Sequence, residues 1–442
     1  MKNTTPLSFG EKIKQIRIAK GLKQEDVAKA INVAQNSVSR LESGEAKYDD
    51  LLLAAIREFY GIENAPLFDH EIENYRNRLW VWNDYIDANR IDDAKEMQDE
   101  MSAILTLPFE HDLILLYYMI ETRILFKEGN RGAGEEMPSY LKMGEEMLNK
   151  AKSLLDCASD EALHLYHRNM GFLFLIQRAY KKSLHHLIQS LDYETDNVKP
   201  KDAGILHNIG ILYYRLGKPW QAIGFFEQAN IKYSTGRTNV FESHVNLAIA
   251  TCSMWVGEFD KAEKLYKSAV KQAKHINDDR AAGMAMANLS FVYRKKGDIN
   301  ECIETCDQAL MLLKNTSHSI YALVNKALCL IKLKDIAQCK ELIKQGMELV
   351  KADKNLTILV ETVNHIATID NSESANYLEN FAIPHFKIAN PEDGGGIYMS
   401  LDLCNILEAH YRKKRNMKKT NEIAALGRDI AIEMFYGEVE FE

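Results

Sequence analysis

The middle of the sequence repeats itself every 40 residues, and this periodicity constrains the fold more strongly than any other feature. Three segments align without gaps, residues 207–229, 247–269 and 287–309. Each has apolar residues at helical spacing on both sides of a turn glycine, which is Gly217, Gly257 or Gly297. Such a unit is a helical hairpin. A single hairpin cannot bury its apolar face alone, so the hairpins must stack on one another.

Small and aromatic residues stand at fixed offsets within each hairpin, and in the first segment these are Gly210, Tyr213, Ala222, Phe226 and Ala229. The pattern resembles the tetratricopeptide family, with the unit lengthened from 34 to about 39 residues by longer helices. The same frame extends to residues 166–190 and 324–346, and more degenerate copies fill 71–156 and 355–435. The resemblance implies an all-α fold in which residues 67–442 form a right-handed tetratricopeptide-type superhelical solenoid of about nine helical hairpins.

The first 48 residues differ from the rest of the chain in charge. They contain nine Lys and Arg against five Asp and Glu, which gives +4, while the whole chain carries −8. The remaining residues therefore carry −12. A weakly basic segment joined to an acidic body suits a small contact with nucleic acid, not a broad one.

Residues 9–43 are predicted to form three short helices. Their apolar residues recur at three- and four-residue spacing and mark the faces that pack together: Ile13, Ile16, Val27, Ala28, Ile31, Val38 and Leu41. The string LKQEDVAKAINVAQNSVSRLESG, residues 22–44, resembles the helix-turn-helix family of phage repressors and bacterial xenobiotic-response-type regulators. We therefore expect residues 1–66 to be a helix-turn-helix DNA-binding domain.

In that family the second helix crosses the DNA backbone and the third enters the major groove. The resemblance implies that Gln24 donates to a phosphate, and that base edges are read by Gln35, Asn36, Ser39 and Arg40. These residue types fit the task, because Gln and Asn bond bidentately to adenine and Arg to guanine. The alternative interpretation is an ordinary solvated helix face. The resemblance also implies an ion pair between Arg17 and Glu42 inside the domain.

So small a domain makes few phosphate contacts, and its positive charge is modest. We therefore expect a homodimer that reads two half-sites of a double-stranded DNA operator. Lys12, Lys14 and Lys47 are interpreted as solvated surface rather than as phosphate contacts.

One position recurs through the repeats as asparagine. The first helices of the hairpins are expected to line a concave inner wall, and equivalent slots on them hold Asn169, Asn208, Ala248, Asn288, Asn325 and Asn364. A primary amide offers a donor and an acceptor, so it can bond the N–H and C=O of one peptide unit. The row is therefore predicted to bind the main chain of a short peptide. The alternative is that these amides bond neighbouring helices within the array.

Other residues on the same wall are expected to select the side chains of the peptide. They are Arg168, Phe172, His207, Tyr214, Arg215, His244, Trp255, Phe291, Arg294 and Tyr321. Arg215 and Arg294 can take a carboxylate, and the aromatic residues can accept apolar side chains.

Several features argue against a catalytic or metal site. Cys302 and Cys306 fall on packing positions of the repeat, and the histidines His164, His167, His185 and His186 lack a ligand frame. No P-loop, GxGxxG, GxSxG or HExxH string occurs. We therefore expect no metal, no cofactor and no catalytic residue, and hence not an enzyme.

The seven cysteines are odd in number and scattered, which indicates reduced thiols and a cytoplasmic protein. The sequence begins without the apolar stretch of a signal peptide. Its longest apolar runs are too short for a membrane span.

The two domains together resemble the peptide-sensing regulators of Gram-positive bacteria, the group of the Rgg, NprR, PlcR, PrgX and Rap proteins, with the NprR-like branch nearest. The resemblance implies a quorum-sensing type transcription regulator whose repeats bind a short signalling peptide and form a homodimer. The alternative is a Rap-like scaffold that binds a response regulator and promotes its dephosphorylation, with Gln98 as its sole candidate glutamine. A third reading is a DNA-binding regulator that senses a protein.

Overall fold

The computed structural model describes residues 7–88, 90–131, 137–193, 203–235, 239–314, 316–350, 353–388 and 396–436. In these ranges the structure is helical and has no strand. No described helix combines the length and the apolar character that a membrane span requires.

The N-terminal part holds four helices. They are α1 (Phe9–Ala19), α2 (Gln24–Ala30), α3 (Gln35–Glu42) and α4 (Asp50–Tyr60). Ser8 and Glu11 form a reciprocal capping box that begins α1, and the left-handed Gly61 ends α4. The three predicted helices over residues 9–43 are confirmed, and α4 is an addition to them.

Nineteen further α-helices follow in the described residues. They are α5 (Asp69–Asp87), α6 (Ile91–Met101), α7 (His111–Arg131), α8 (Met137–Ala151), α9 (Asp160–Ile176), α10 (Tyr180–Asp192), α11 (Ala203–Arg215), α12 (Pro219–Thr235), α13 (Asn239–Trp255), α14 (Phe259–His275), α15 (Asp279–Lys296), α16 (Ile299–Leu313), α17 (Ile320–Leu333), α18 (Ile336–Leu349), α19 (Lys354–Ala367), α20 (Ser372–Tyr377), α21 (Ile383–Ile388), α22 (Gly396–Lys413) and α23 (Met417–Tyr436). Short 3₁₀ segments lie at Ser102–Thr106, Lys152–Cys157 and Ser317–Ser319, and a π-helical turn at Leu378–Ala382 joins α20 to α21. Helices pack mainly against their neighbours in sequence, as expected for stacked hairpins.

The turns between paired helices share one backbone geometry. Gly217, Gly257 and Gly297 have φ angles of +73°, +86° and +90°, where a residue without Cβ is at no disadvantage. Arg178 and Lys334 adopt φ angles of +60° and +63° at the equivalent turns, with the same pair of backbone hydrogen bonds to the preceding helix. The copies at residues 166–190 and 324–346 therefore keep the turn without its glycine.

Packing within a hairpin follows the predicted small and large positions. Ala222, Phe226 and Ala229 are buried on α12, and the Phe226 ring lies where a Cβ on Gly210 would stand. Cys302 and Cys306 occupy the same positions on α16 and are fully buried. Both cysteines therefore pack in the core, as predicted.

The chain divides into two compact units, and each is described by itself. The first comprises residues 1–179 and 185–200, and the second comprises 180–184 and 201–442. The predicted boundary at residue 66 lies within the first unit and stays a prediction.

Within the first unit, the helix-turn-helix part is joined to the following helices by polar contacts that are buried or partly buried. The Lys12 ammonium donates to the Leu67 carbonyl at 2.7 Å and lies 3.8 Å from Glu110. Both carboxylate oxygens of Glu71 accept from Nη2 of Arg57, and Glu71 also accepts from the backbone N–H of Leu67. Interpreting Lys12 as solvated surface was therefore wrong, because only 4% of this residue is exposed.

Adding a methyl group at Gly210 tests whether hairpin packing limits stability. In Gly210→Ala the new Cβ would lie 2.6 Å from the Phe226 ring, so we expect a loss of about 1–3 kcal/mol in the free energy of unfolding. Gly224→Ala on α12 is the matched control, because the added Cβ meets no atom within 4 Å. This substitution also replaces a glycine inside a helix by alanine, so it should not destabilise the protein. Chemical denaturation would measure both, and equal midpoints would refute the packing account.

Candidate functional site

Helix α3 presents a polar face to solvent. Its exposed side chains include Gln35, Asn36, Ser39 and Arg40, while Val38 and Leu41 on the opposite face are buried in the domain core. Helical periodicity therefore aligns two amides, a hydroxyl and a guanidinium on one accessible surface. Donors and acceptors of these kinds can read base edges in a major groove.

A buried carboxylate fixes the helices around this face. Glu42 at the end of α3 accepts from Arg17 at 2.6 and 2.9 Å, and Arg17 also donates to the Leu22 carbonyl at 2.9 Å. The predicted Arg17–Glu42 pair is thus confirmed, and its hydrogen bonds raise the pKa of Arg17. Glu42 also accepts from the amide nitrogen of Gln24 at 2.9 Å. That contact uses one of two amide hydrogens, so a phosphate contact by Gln24 stays a prediction.

The asparagine row splits into different environments. In the first unit, Asn169 is 2% exposed and its amide donates to the Met119 carbonyl at 2.8 Å. In the second unit, Asn325 is 5% exposed and donates to Ser290 Oγ at 3.1 Å, while its oxygen accepts from Arg294. Each amide therefore bonds the first helix of the preceding hairpin, α7 for Asn169 and α15 for Asn325.

For Asn169 and Asn325 the prediction of an open peptide contact is wrong, and the alternative of bonds within the array holds. The physical reason is that a buried amide must satisfy its donors and acceptors inside the protein. Asn288 is half-buried and bonds the Tyr266 hydroxyl. Asn208 is half-buried and Asn364 is exposed, and neither side chain has a hydrogen-bond partner among the described residues.

Two arginines predicted on the wall are already paired. Arg168 lies 3.4 Å from Asp87, which also binds the buried Arg123. Burial would raise the pKa of Asp87, but the two arginines outweigh it and hold that pKa well below its ordinary value. Arg294 donates to Asn325 at 3.0 Å and lies 3.6 Å from Asp402. Neither guanidinium is an empty carboxylate site in this structure.

The remaining wall residues of the second unit differ in exposure. His244 and Tyr321 are exposed, while His207, Tyr214 and Arg215 are half-buried. Burial and the neighbouring His244 lower the pKa of His207 to about 4, so its imidazole is neutral at pH 7. His207 can therefore offer a hydrogen bond but not a positive charge.

Phe291 is half-buried among aromatic and cationic neighbours on the wall. Its ring lies 5.0 Å from that of Trp255, and the Arg294 guanidinium and Lys295 ammonium lie 4.8 and 5.3 Å from it. Such cation–π geometry orients both cations along one surface. The sequence did not predict the contact between Lys295 and Asp402, because no local pattern connects residues that are 107 positions apart.

Among the described residues, no group of three or more His, Cys, Asp or Glu is arranged to hold a metal ion. The sulfurs of Cys302 and Cys329 lie 3.3 Å apart in the core, and His167 and His186 share a ring hydrogen bond of 2.9 Å. Gln98 is half-buried and donates to Glu121 at 3.1 Å.

Two family models match parts of the chain. A helix-turn-helix model matches residues 13–63, and a tetratricopeptide repeat model matches residues 285–314. No curated protein matches the sequence. The chain thus contains a helix-turn-helix segment followed by a tetratricopeptide repeat.

Solved structures resemble most of the chain in fold. The apo form of the quorum sensor NprR from B. thuringiensis is 20% identical, with 81% of this chain and 99% of that chain covered and a TM-score of 0.62. A Rap protein complexed with Competence and Sporulation Factor is 15% identical, with 82% and 99% covered and a TM-score of 0.58. NprR in complex with its cognate peptide NprX is 20% identical, with 80% and 98% covered and a TM-score of 0.56. At these identities the likeness concerns the fold alone.

Truncating two asparagines of the row should separate structural amides from exposed ones. Asn325→Ala removes a buried amide and leaves Arg294 and Ser290 without its hydrogen bonds. We therefore expect a loss of about 1–3 kcal/mol in the free energy of unfolding. Asn364→Ala removes an exposed amide and should change that energy by less than about 0.5 kcal/mol. Urea denaturation followed by circular dichroism measures both. A neutral Asn325→Ala would show that the array does not need this amide.

Proposed function

We propose that the chain is a peptide-responsive transcription regulator, of the quorum-sensing type, that binds operator DNA through α3 and a short signalling peptide through its repeats. The observation that carries the DNA-binding half is the exposed face of Gln35, Asn36, Ser39 and Arg40 in a helix-turn-helix segment. With only +4 charge over residues 1–48, one such domain binds DNA weakly. The working form is therefore a homodimer that reads two half-sites.

The peptide-binding half is supported by the second unit. Asn208 and Asn288 lie on first helices of hairpins, and each amide can serve one N–H and one C=O of an extended peptide. His207, Tyr214, Arg215, His244, Phe291 and Tyr321 then supply side-chain contacts, with Asn364 as a more distant amide in the row. One similar structure is NprR in complex with its cognate peptide NprX, and another is the apo form of the quorum sensor NprR.

The chemical design separates affinity from selectivity. Main-chain hydrogen bonds to amides are independent of the peptide sequence, so they supply general affinity for an extended chain. The neutral His207 favours a polar, uncharged side chain of the peptide, and the aromatic residues favour apolar side chains. Arg215 favours a carboxylate. A peptide that binds one arrangement of the hairpins better than another shifts the population toward it. Within the first unit, the contacts of Lys12 and Arg57 tie the DNA-binding part to the helices that follow it, so a rearrangement of those helices can be passed to α3.

The Rap-like scaffold is the competing function, and the helix-turn-helix segment weighs against it. A scaffold that acts only on a response regulator has no use for the exposed polar face of α3. The candidate glutamine, Gln98, is engaged by Glu121 rather than presented alone. We therefore assign the chain no phosphatase-related activity.

Replacing Gln35 should relax DNA sequence preference. In Gln35→Ala one bidentate base contact is lost, so discrimination at one base pair of each half-site should fall by about 1–3 kcal/mol, with a smaller loss in nonspecific affinity. Selection from a random duplex library with the full-length chain measures this. Gln98→Ala is the matched control and should keep the preference. An unchanged preference in Gln35→Ala would remove the role assigned to this residue.

Replacing Asn208 should weaken peptide binding. Affinity selection from a random heptapeptide library, followed by anisotropy titration of a recovered peptide, measures the dissociation constant. Loss of two main-chain hydrogen bonds in Asn208→Ala should weaken binding about tenfold. Asn376→Ala changes an exposed amide on α20, outside the row, and should leave binding unchanged. The peptide half of the proposal fails if no library member binds, or if both variants bind equally.

A further inference from the structure

The last hairpin of the second unit, α22 and α23, contacts helix α15, which belongs to a hairpin further back in the chain. Asp402 on α22 is hydrogen-bonded to Lys295, and its other carboxylate oxygen lies 3.6 Å from Arg294. Both cations lie near the end of α15, and helices α16 to α21 intervene in the chain. A stack in which hairpins meet mainly their neighbours does not require this contact.

A second bridge links the same hairpin to the beginning of the unit. The Lys218 ammonium, in the turn between α11 and α12, donates to the backbone carbonyl of Glu433 on α23 at 2.7 Å. The Glu433 carboxylate in turn pairs with Lys387 of α21 at 2.9 Å. Helices α22 and α23 are therefore fastened at two points, one through a carboxylate and one through a main-chain carbonyl.

The cations that hold Asp402 are positioned without it. The Nε of Arg294 donates to Asn325 at 3.0 Å, and Asn325 is itself held by Ser290. The Phe291 ring lies against both cations, and the side chains of Arg294 and Lys295 are 17% and 26% exposed. A guanidinium already oriented by one hydrogen bond, beside an ammonium, is a prepared receptor for a carboxylate.

We propose that Arg294 and Lys295 form a carboxylate-binding site whose resident occupant, Asp402, is displaced by a carboxylate of an incoming peptide. The ligand group is the peptide's C-terminal carboxylate or an acidic side chain, and its arrival releases α22 and α23 from α15. This inference rests on the proposed peptide-binding function and adds a specific subsite and a built-in competitor to it.

The exchange is physically balanced. One carboxylate replaces another on the same two cations, so the Coulomb energy changes little, and the remaining peptide contacts decide the outcome. Asp402 is tethered to its partner and acts at a high effective concentration. A free carboxylate alone therefore competes poorly, whereas a peptide that makes further contacts with the repeats can displace Asp402. The competitor thereby raises selectivity against small anions.

Carbodiimide cross-linking of the full-length protein tests the site, because this reagent joins an ammonium to a carboxylate in contact with it. Peptide mass mapping should find a Lys295–Asp402 link in the protein alone. A random heptapeptide library with free carboxyl termini should lower that link at least twofold and attach library peptides to Lys295. Failure of an excess of library to reduce the link or to label Lys295 overturns the proposal.

Two variants sharpen the test. Asp402→Asn keeps the shape but removes the charge, so library attachment to Lys295 should rise at least fivefold, and hydrogen exchange of α22 amides should accelerate about fivefold. Glu408→Gln is the matched control on the same helix, since Glu408 pairs with Arg412 only one turn away, and it should behave like the parent protein. Equal attachment in the two variants, or unchanged exchange in Asp402→Asn, overturns the proposal.

The tests of the Arg294–Lys295 site and of the asparagine row can give different results. Lys295 labelling that depends on Asp402, with no effect of Asn208→Ala on peptide affinity, supports this site and contradicts the amide row. Peptide binding that depends on Asn208 but ignores Asp402 supports the row and overturns this site.

Discussion

The structure depends on the complementarity of small and large side chains between paired helices. Phe226 fills the space that Gly210 leaves open. The equivalents of Ala222 and Phe226 are Ala262 and Tyr266 on α14, and Cys302 and Cys306 on α16, and all of them are fully buried. Because each interface repeats the last, a 40-residue period in sequence becomes a regular succession of hairpins. Equivalent residues therefore recur on the first helix of each hairpin.

Sequence alone predicted the fold well because its signals are local. Helix periodicity, turn glycines and the helix-turn-helix string each depend on residues within one hairpin or one small domain. The Arg17–Glu42 pair was also predictable, since the string places both residues in a domain of known packing. The left-handed turns at Arg178 and Lys334 show that the hairpin turn forms without glycine, so a turn glycine alone does not identify every repeat.

The candidate peptide site was less predictable, and Asn169 and Asn325 show why. The repeat period predicts which face of a helix carries a side chain. On that face, a side chain either is open to solvent or contacts the first helix of the preceding hairpin. Whether an amide is open or bonded is decided by a neighbour of unrelated sequence, such as Met119 or Ser290. The contact of Asp402 with Lys295 joins distant parts of the chain, so no spacing rule indicates it. The row therefore combines two structural amides with others that remain candidates for peptide binding.

We propose that a peptide bound to the repeats changes the DNA-binding activity of α3. The most direct measurement is the dissociation constant of the full-length protein for its selected operator, with and without a saturating library-derived peptide. We expect the dissociation constant to change by at least about fivefold, the low end of typical coupling between two sites. An operator affinity that stays the same while the peptide is shown to be bound would contradict it.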